Sequence, residues 1–448
     1  MSSNLISVFL LKCPLVLLTF VLVYVLEPAN FGLVALYFSI VTLSMPILFM
    51  GLHTGFGRFI YDDRSLVMGE LKLVFLFHFG CLLIALALLS IALFALKLSA
   101  VIFLLPIISF SWMVDLLLHQ VSIRKKKTSP FNWMIGAKYA AIFLTTISVL
   151  NFSQKQVEAV IAIEAIGALF TTAAILFLTR DVEISFDRYD YLRRIASYSF
   201  PMIFYGFGLA LISQSDRFVI GYFFDMETVG LYSFSYNISS IVLVIIGGLF
   251  NASLPRYFEM KRSGDNRYLE NSLQFYSFAT VSLNCVLMFG AHFIFRNILP
   301  FNEEEVAQTL SYLLLSLIPA ILFQFSVREL QYMKKSRLIA IIILLVALCN
   351  IVLTFVFVQK LYLFGAVLAT GVSYLLGAIW INALVLGVRD QSRFLLICAL
   401  AFMFTLLMYF SFSGWFENRV VNSLIMLIGV GAILLIIRRF WQLRQVVI

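Results

Sequence analysis

The chain has 448 residues, of which 62% are hydrophobic and 12% charged, with a mean hydropathy of +1.00; soluble proteins average roughly 45–50% apolar and about 25% charged residues. Apolar runs of about 18 residues or more recur from end to end, which leaves no room for a soluble domain and predicts an all-α polytopic membrane protein. A net charge of +9 would suggest nucleic acid as the partner of a soluble chain, but here the basic residues sort by side of the membrane and no nucleic-acid partner is expected.

Apolar runs bounded by charge or by Gly/Pro/Asn clusters predict about fourteen spans, at 5–26, 32–52, 71–96, 99–120, 131–150, 156–179, 196–223, 228–253, 271–295, 306–329, 337–358, 362–387, 392–411 and 421–438. The first run is longer than a signal-peptide core and no small-residue cleavage pattern follows it, so it reads as a retained helix. Cysteines 13, 81, 285, 349 and 398 lie singly inside apolar runs, which argues against a disulfide framework or a metal site. Most of the 32 basic residues fall in alternate loops, from Arg58, Arg64 and Lys72 through Arg124 and Lys125 to Arg438, Arg439 and Arg444. The opposite loops hold few cations and the acidic run Glu303 to Glu305. By the positive-inside rule both termini are expected on the cytoplasmic side.

The charged stretch "RDVEISFDRYDYLRR" at 180–194 divides the chain. The expected organisation is an N-terminal six-helix bundle at 1–180, a linker at 181–195, a C-terminal six-helix bundle at 196–388 and an additional helix pair at 389–448. A weak internal repeat agrees with the division. "LEPANFGLVALYFSI" at 26–40 and "FDMETVGLYSFSYNI" at 224–238 are both outer turns in which Gly32-Leu33 or Gly230-Leu231 opens the next helix. An even number of spans separates them, so the repeat is of the parallel kind, and two such bundles leave a cleft at the membrane midplane.

Six ionisable residues remain well inside predicted spans: Lys12, Asp115, Lys138, Glu164, Asp216 and Arg217. At about 1.5 Å per residue, Lys12, Asp115 and Lys138 share an inner level, and Glu164, Asp216 and Arg217 an outer one. One reading pairs opposite charges of equal depth within a bundle, Asp115 with Lys138 for instance. In the other, they line a wet cavity, where a cation meets an anionic substrate and a carboxylate carries coupling protons or sodium. Helix neighbours point about 100° apart, so Asp216 and Arg217 cannot share one contact, and one of them is in reach of Glu164. Histidines 53, 78 and 119 read as interfacial or core residues, and Arg58 as a positive-inside residue able to touch a lipid phosphate. No nucleotide loop, metalloprotease motif or nucleophile motif is present, so the chain is not expected to be an enzyme and no cofactor is expected.

"SFPMIFYGFGLALISQSDRFVIGYFFDMETVGLYSFSYNISSI" at 199–241 resembles the seventh and eighth helices of bacterial polysaccharide flippases, the Wzx-type O-antigen transporters of the multidrug/oligosaccharidyl-lipid/polysaccharide superfamily. Ser199 and Pro201, Asp216 to Phe218 and Val229 to Ser233 carry the likeness. "LEPANFGLVALYFSI" looks like that family's Leu-Gly-Pro-x-x-Phe-Gly turn with Glu27 in place of glycine, "MGLHTGFGRFI" at 50–60 like the end of its second helix, and "LYLFGAVLATGVSYLLG" at 361–377 like the opening of its twelfth. The resemblance implies two pseudo-symmetric six-helix lobes around a V-shaped cavity. The implied activity is ion-coupled alternating access that carries an undecaprenyl-diphosphate-linked oligosaccharide, such as an O-antigen repeat unit, to the outer leaflet. It would make Arg217, Lys12, Lys138 and Arg58 substrate-binding residues, and Asp216, Glu164 and Asp115 ion-coupling or charge-pairing residues, with H+ or Na+ as the driving ion. Membrane lipids, a polysaccharide polymerase and a chain-length regulator are the implied partners. A drug or other lipid-precursor exporter of the same fold is the alternative. A polymerase or ligase fits less well, because its large outer loop is missing.

Overall fold

The computed structural model describes residues 18–59, 67–96, 100–124, 130–150, 156–180, 188–264, 266–294, 301–333 and 335–385. These residues are helical almost throughout, without a strand among them. After a helical stretch at 18–25 come α1 (Pro28–Leu48), α2 (Leu52–Phe59), α3 (Val67–Leu96), a 3-10 turn (Ala100–Leu104) and α4 (Leu105–Arg124). Then follow α5 (Pro130–Leu150), α6 (Gln156–Leu178), α7 (Arg188–Phe223), α8 (Met226–Ser263), α9 (Asn266–Ile294), α10 (Glu303–Tyr332) and α11 (Ser336–Val385). Eight of the described helices are long and apolar enough to cross a membrane, and Met134–Val149 within α5 is a shorter apolar stretch. The last two predicted spans lie outside the described residues.

Helices α3, α6 and α11 are apolar around most of their circumference, which is the pattern of a helix solvated by hydrocarbon on one side and protein on the other. Leu83, Ile84, Leu88 and Ile91 of α3 and Leu348 and Val352 of α11 are accordingly exposed. At two helix ends the sequence turns polar without ending the helix: α7 begins at Arg188, inside the stretch expected to be a linker, and α8 continues to Ser263. Asp225 caps α8, its Oδ1 accepting from Thr228 N (2.8 Å) and Thr228 Oγ1 (2.7 Å). These bonds favour the charged carboxylate and hold its pKa below the ordinary value. Asn302 caps α10 by accepting from Glu304 N at 3.1 Å.

The chain forms two compact units, Met1–Ser233 and Phe234–Ile448, and α8 runs from the first into the second. In the first, α4 packs on α1, α5 and α6, and α7 on α1 and α2. Val41, Leu105, Ile108, Ile161 and Ala165 form a core over which Tyr37, Phe38 and Trp112 close. The α1–α2 break is a left-handed turn at Met50 (φ 51°) and Gly51 (φ 60°), which ends the second predicted span four residues early. Glycines allow α1 and α2 to lie against α7 and α8. A Cβ on Gly55 would meet the Ser199 hydroxyl and sit 2.7 Å from Ile195 Cγ2, while one on Gly32 would overlap the Met226 carbonyl oxygen and lie 3.0 Å from Gly230 N. The two glycines of the sequence repeat therefore meet each other.

In the second unit α10 is largely buried and packs on α9 and α11. Asn284 of α9 donates to the Leu314 carbonyl of α10 at 2.7 Å. The helix α11 comprises two predicted spans folded at Tyr362 (φ 54°, ψ −139°), and Gly365 lets the returning arm approach Val358 N within 2.7 Å of where its Cβ would be. That break falls at the expected boundary between the eleventh and twelfth spans.

Candidate functional site

Buried charge gathers in two places in the first unit. The first lies among α4, α5 and α6. Lys138 of α5, 1% exposed, forms an ion pair with Asp115 Oδ2 of α4, which is 2% exposed. The same ammonium donates to Ser111 Oγ at 3.0 Å, and the Tyr139 hydroxyl donates to Asp115 Oδ2 at 3.1 Å. Serine 111 and Asp115 stand one helical turn apart, so both face α5. Glu164 of α6 is 1% exposed. Neither of its oxygens has a hydrogen-bond partner, nor does Asp115 Oδ1. Trp112 Nε1 lies beside Glu164 without closing a hydrogen bond. Gly167, one turn further along α6, brings the helices together: a Cβ there would be 2.9 Å from Ile142 Cδ1 and 3.8 Å from Lys138 Cδ.

The second place is the α7–α8 hairpin with α1 against it. The antiparallel turn at Phe224–Asp225 sets residue 216 beside 232 and 217 beside 233. Asp216, wholly buried, accepts from the Tyr232 hydroxyl at 2.7 Å. Arg217, 3% exposed, donates Nε to Ser233 Oγ (3.0 Å) and Nη1 to Ser213 O (2.8 Å) and Gln214 Oε1 (2.9 Å). Gln214 Oε1 also accepts from Ser39 Oγ of α1 at 2.9 Å, so one amide oxygen ties the guanidinium to the neighbouring helix. The described partners of the two adjacent charges differ, in keeping with their angular separation, and neither hydrogen-bonds Glu164.

Of the residues expected to form the site, Asp115 and Lys138 are brought together, with Glu164 beside them, and Asp216 and Arg217 share the hairpin. Arg58 lies in α2, while Lys12 falls outside the described residues. His78 behaves as a core residue: its Nε2 is 3.2 Å from Phe49 O, and its ring meets that of Phe49 edge-on.

Sequence reasoning missed a third group, in the second unit. Arg328, at the very end of the predicted span 306–329 and outside the six charges placed well inside spans, lies inside α10 at 2% exposure. Its guanidinium stacks 3.3 Å from the centre of the Phe250 ring, within 5.2 Å and 5.4 Å of those of Tyr257 and Tyr276, and it donates to Phe250 O. Its neighbour Glu329 accepts from the Tyr257 hydroxyl and pairs with Lys261 at 2.7 Å. The signal was an Arg-Glu dipeptide at the end of an apolar run, as easily read as the start of a loop.

The chain folds like known transporters. It superposes on lipid II flippase MurJ in an inward closed conformation with a TM-score of 0.66 at 15% identity, covering 98% of this chain and 97% of that one. Against an inward-facing multidrug resistance transporter of the MATE family and MOP superfamily the TM-score is 0.62 at 13% identity, over 86% and 96% of the two chains. A MOP-superfamily transporter from Pyrococcus furiosus gives 0.53 at 13% identity, over 88% and 97%. None of the curated proteins compared matches the sequence. The family model described as polysaccharide biosynthesis protein matches residues 21–300, a stretch that holds both charged clusters of the first unit. The chain, an all-α polytopic membrane protein, belongs to the polysaccharide biosynthesis protein family.

Proposed function

We propose that this protein translocates an oligosaccharide carried on undecaprenyl diphosphate across the bacterial cytoplasmic membrane, by ion-coupled alternating access between two helical lobes. Family and fold support the flipping of lipid-linked precursors in general. The observation that carries the finer reading is Arg217: a permanently charged guanidinium buried in a span, where a charge costs at least about 2.5–3.5 kcal/mol. Its described acceptors include two neutral side chains and a backbone carbonyl. A diphosphate offers such donors charged oxygens in the bidentate geometry that a guanidinium fork matches. The lipid tail stays in the bilayer while head group and sugars pass. Basic loops on one side of the membrane support cytoplasmic termini, and a polymerase and chain-length regulator would act on the product.

The test is complementation of a strain lacking the gene. Arg217→Ala is expected to abolish surface polysaccharide while the protein inserts and accumulates as wild type, with partial recovery in Arg217→Lys, which keeps the charge and loses the fork. Normal polysaccharide with Arg217→Ala overturns the assignment. A second reading, export of a different lipid-diphosphate precursor, is favoured by the near full-length likeness to a lipid II flippase. Accumulated precursor in the deletion strain separates the two.

A further inference from the structure

Two carboxylates and one ammonium occupy the cluster among α4, α5 and α6, and the ammonium is already committed. Lys138 bonds Asp115 Oδ2 and Ser111 Oγ, which leaves Glu164 with two acceptor oxygens and no hydrogen-bond donor on either, at 1% exposure. The groups that face it from the packed elements are Lys138 and Tyr139 on α5 and Asp115 and Trp112 on α4; Tyr37 of α1 packs on the neighbouring Ile161–Ala165 core. Tyr139 gives its hydroxyl hydrogen to Asp115, and Trp112 is neutral. With every group ionised the cluster carries one uncompensated negative charge, away from water, which the low dielectric penalises heavily.

We propose that the Lys138–Asp115–Glu164 cluster is a proton-binding site, with Glu164 the group that takes up the proton. This rests on the transport reading for its purpose, and it makes H+ the coupled ion. Binding converts the Glu164 carboxylate to the neutral acid and balances the cluster: one ammonium, one carboxylate, one acid. The arrangement has a mirror form in which Lys138 pairs with Glu164 and the proton sits on Asp115, whose Oδ1 also lacks a donor. One proton and one ammonium shared by two carboxyls thus define two neutral packings of three helices, and departure of the proton disfavours both. A sodium ion fits poorly, because the ammonium already holds the place of the cation and repels a second one. The two carboxyls titrate as a pair.

The experiment is infrared pH-difference spectroscopy of the purified full chain in lipid nanodiscs, without any lipid-linked sugar. Wild type is expected to show a protonated-carboxyl band that vanishes as pH is raised. Glu164→Gln loses one carboxyl's worth of that signal, and the exposed control Glu227→Gln keeps it. Lys138→Met gains a second protonated carboxyl, because no cation is left to hold either one ionised. A Glu164→Gln spectrum identical to wild type, or a band removed by Na+ at fixed pH, overturns the proposal. Proteoliposomes then separate the two claims. If the band behaves as stated but no lipid-linked oligosaccharide moves under an imposed pH gradient, the transport reading fails and the proton site stands; the reverse result keeps the transport reading and removes the site.

Discussion

Replacing Gly32 with alanine tests the closest backbone approach at a described glycine of the first unit. A methyl group at that position overlaps the Met226 carbonyl oxygen and comes within 2.9 Å of its carbon and 3.0 Å of Gly230 N. Carbon atoms pack best at about 3.5–4.0 Å, so the start of α8 must retreat from α1 by about 1 Å. Every atom it meets is backbone, and none can swing aside by changing rotamer. Overpacking of this kind costs about 1–3 kcal/mol, and the upper half of that range is expected here, a loss of up to about 150-fold in the packed population. Thermal unfolding in detergent, followed by intrinsic fluorescence, reads the loss. Gly80→Ala is the control, since a Cβ on Gly80 meets nothing within 4 Å. Gly32→Ala should melt well below wild type and Gly80→Ala at or above it. Equal melting of the two variants would refute the view that backbone approach at Gly32 holds α1 to the α7–α8 hairpin.

Two further outcomes follow from buried groups. Lys138→Met breaks the buried ion pair and forces Asp115 to take up a proton among apolar helices, which is expected to cost about 3–5 kcal/mol, measured by the same melting assay. Adding Asp115→Asn to Lys138→Met should return most of the loss, and a double variant no more stable than the single would show that the pair is not what matters. Tyr362 holds a backbone conformation suited to glycine, so Tyr362→Gly is expected to stabilise the α11 fold by about 1 kcal/mol. A lower melting temperature would show that the tyrosine side chain contributes more than the strain removes.

Hydropathy made the spans legible because hydrocarbon admits few other solutions: backbone groups must be satisfied within a helix, so an apolar run of sufficient length reads almost without alternatives. It failed at helix ends, where water tolerates charge and a helix such as α7 or α8 continues into a polar sequence. The same blindness hid Arg328, since an arginine at the end of an apolar run is expected in a loop and not in a cage of aromatic rings. Depth along the helix axis was enough to suggest the Asp115–Lys138 pair. It gave no information about rotation around that axis, and rotation decides whether Glu164 or Arg217 finds a partner. The partners of Asp216 and Arg217 were beyond reach for the same reason, although their divergence followed from helix geometry alone.

The meeting of Gly32 with Met226 and Gly230 also bears on which positions can change singly. When a position in one copy of a repeat touches its own counterpart in the other, that position lies where a two-fold axis would have passed had the copies been separate subunits. The contact between Gly32 and Gly230 therefore has the form of a two-fold interface between like segments. Positions away from it differ freely between the two segments, as Asp216 and Arg217 differ from Leu18 and Thr19 at the same offset. At the axis each copy is the other's environment, and a change in one must be answered in the other.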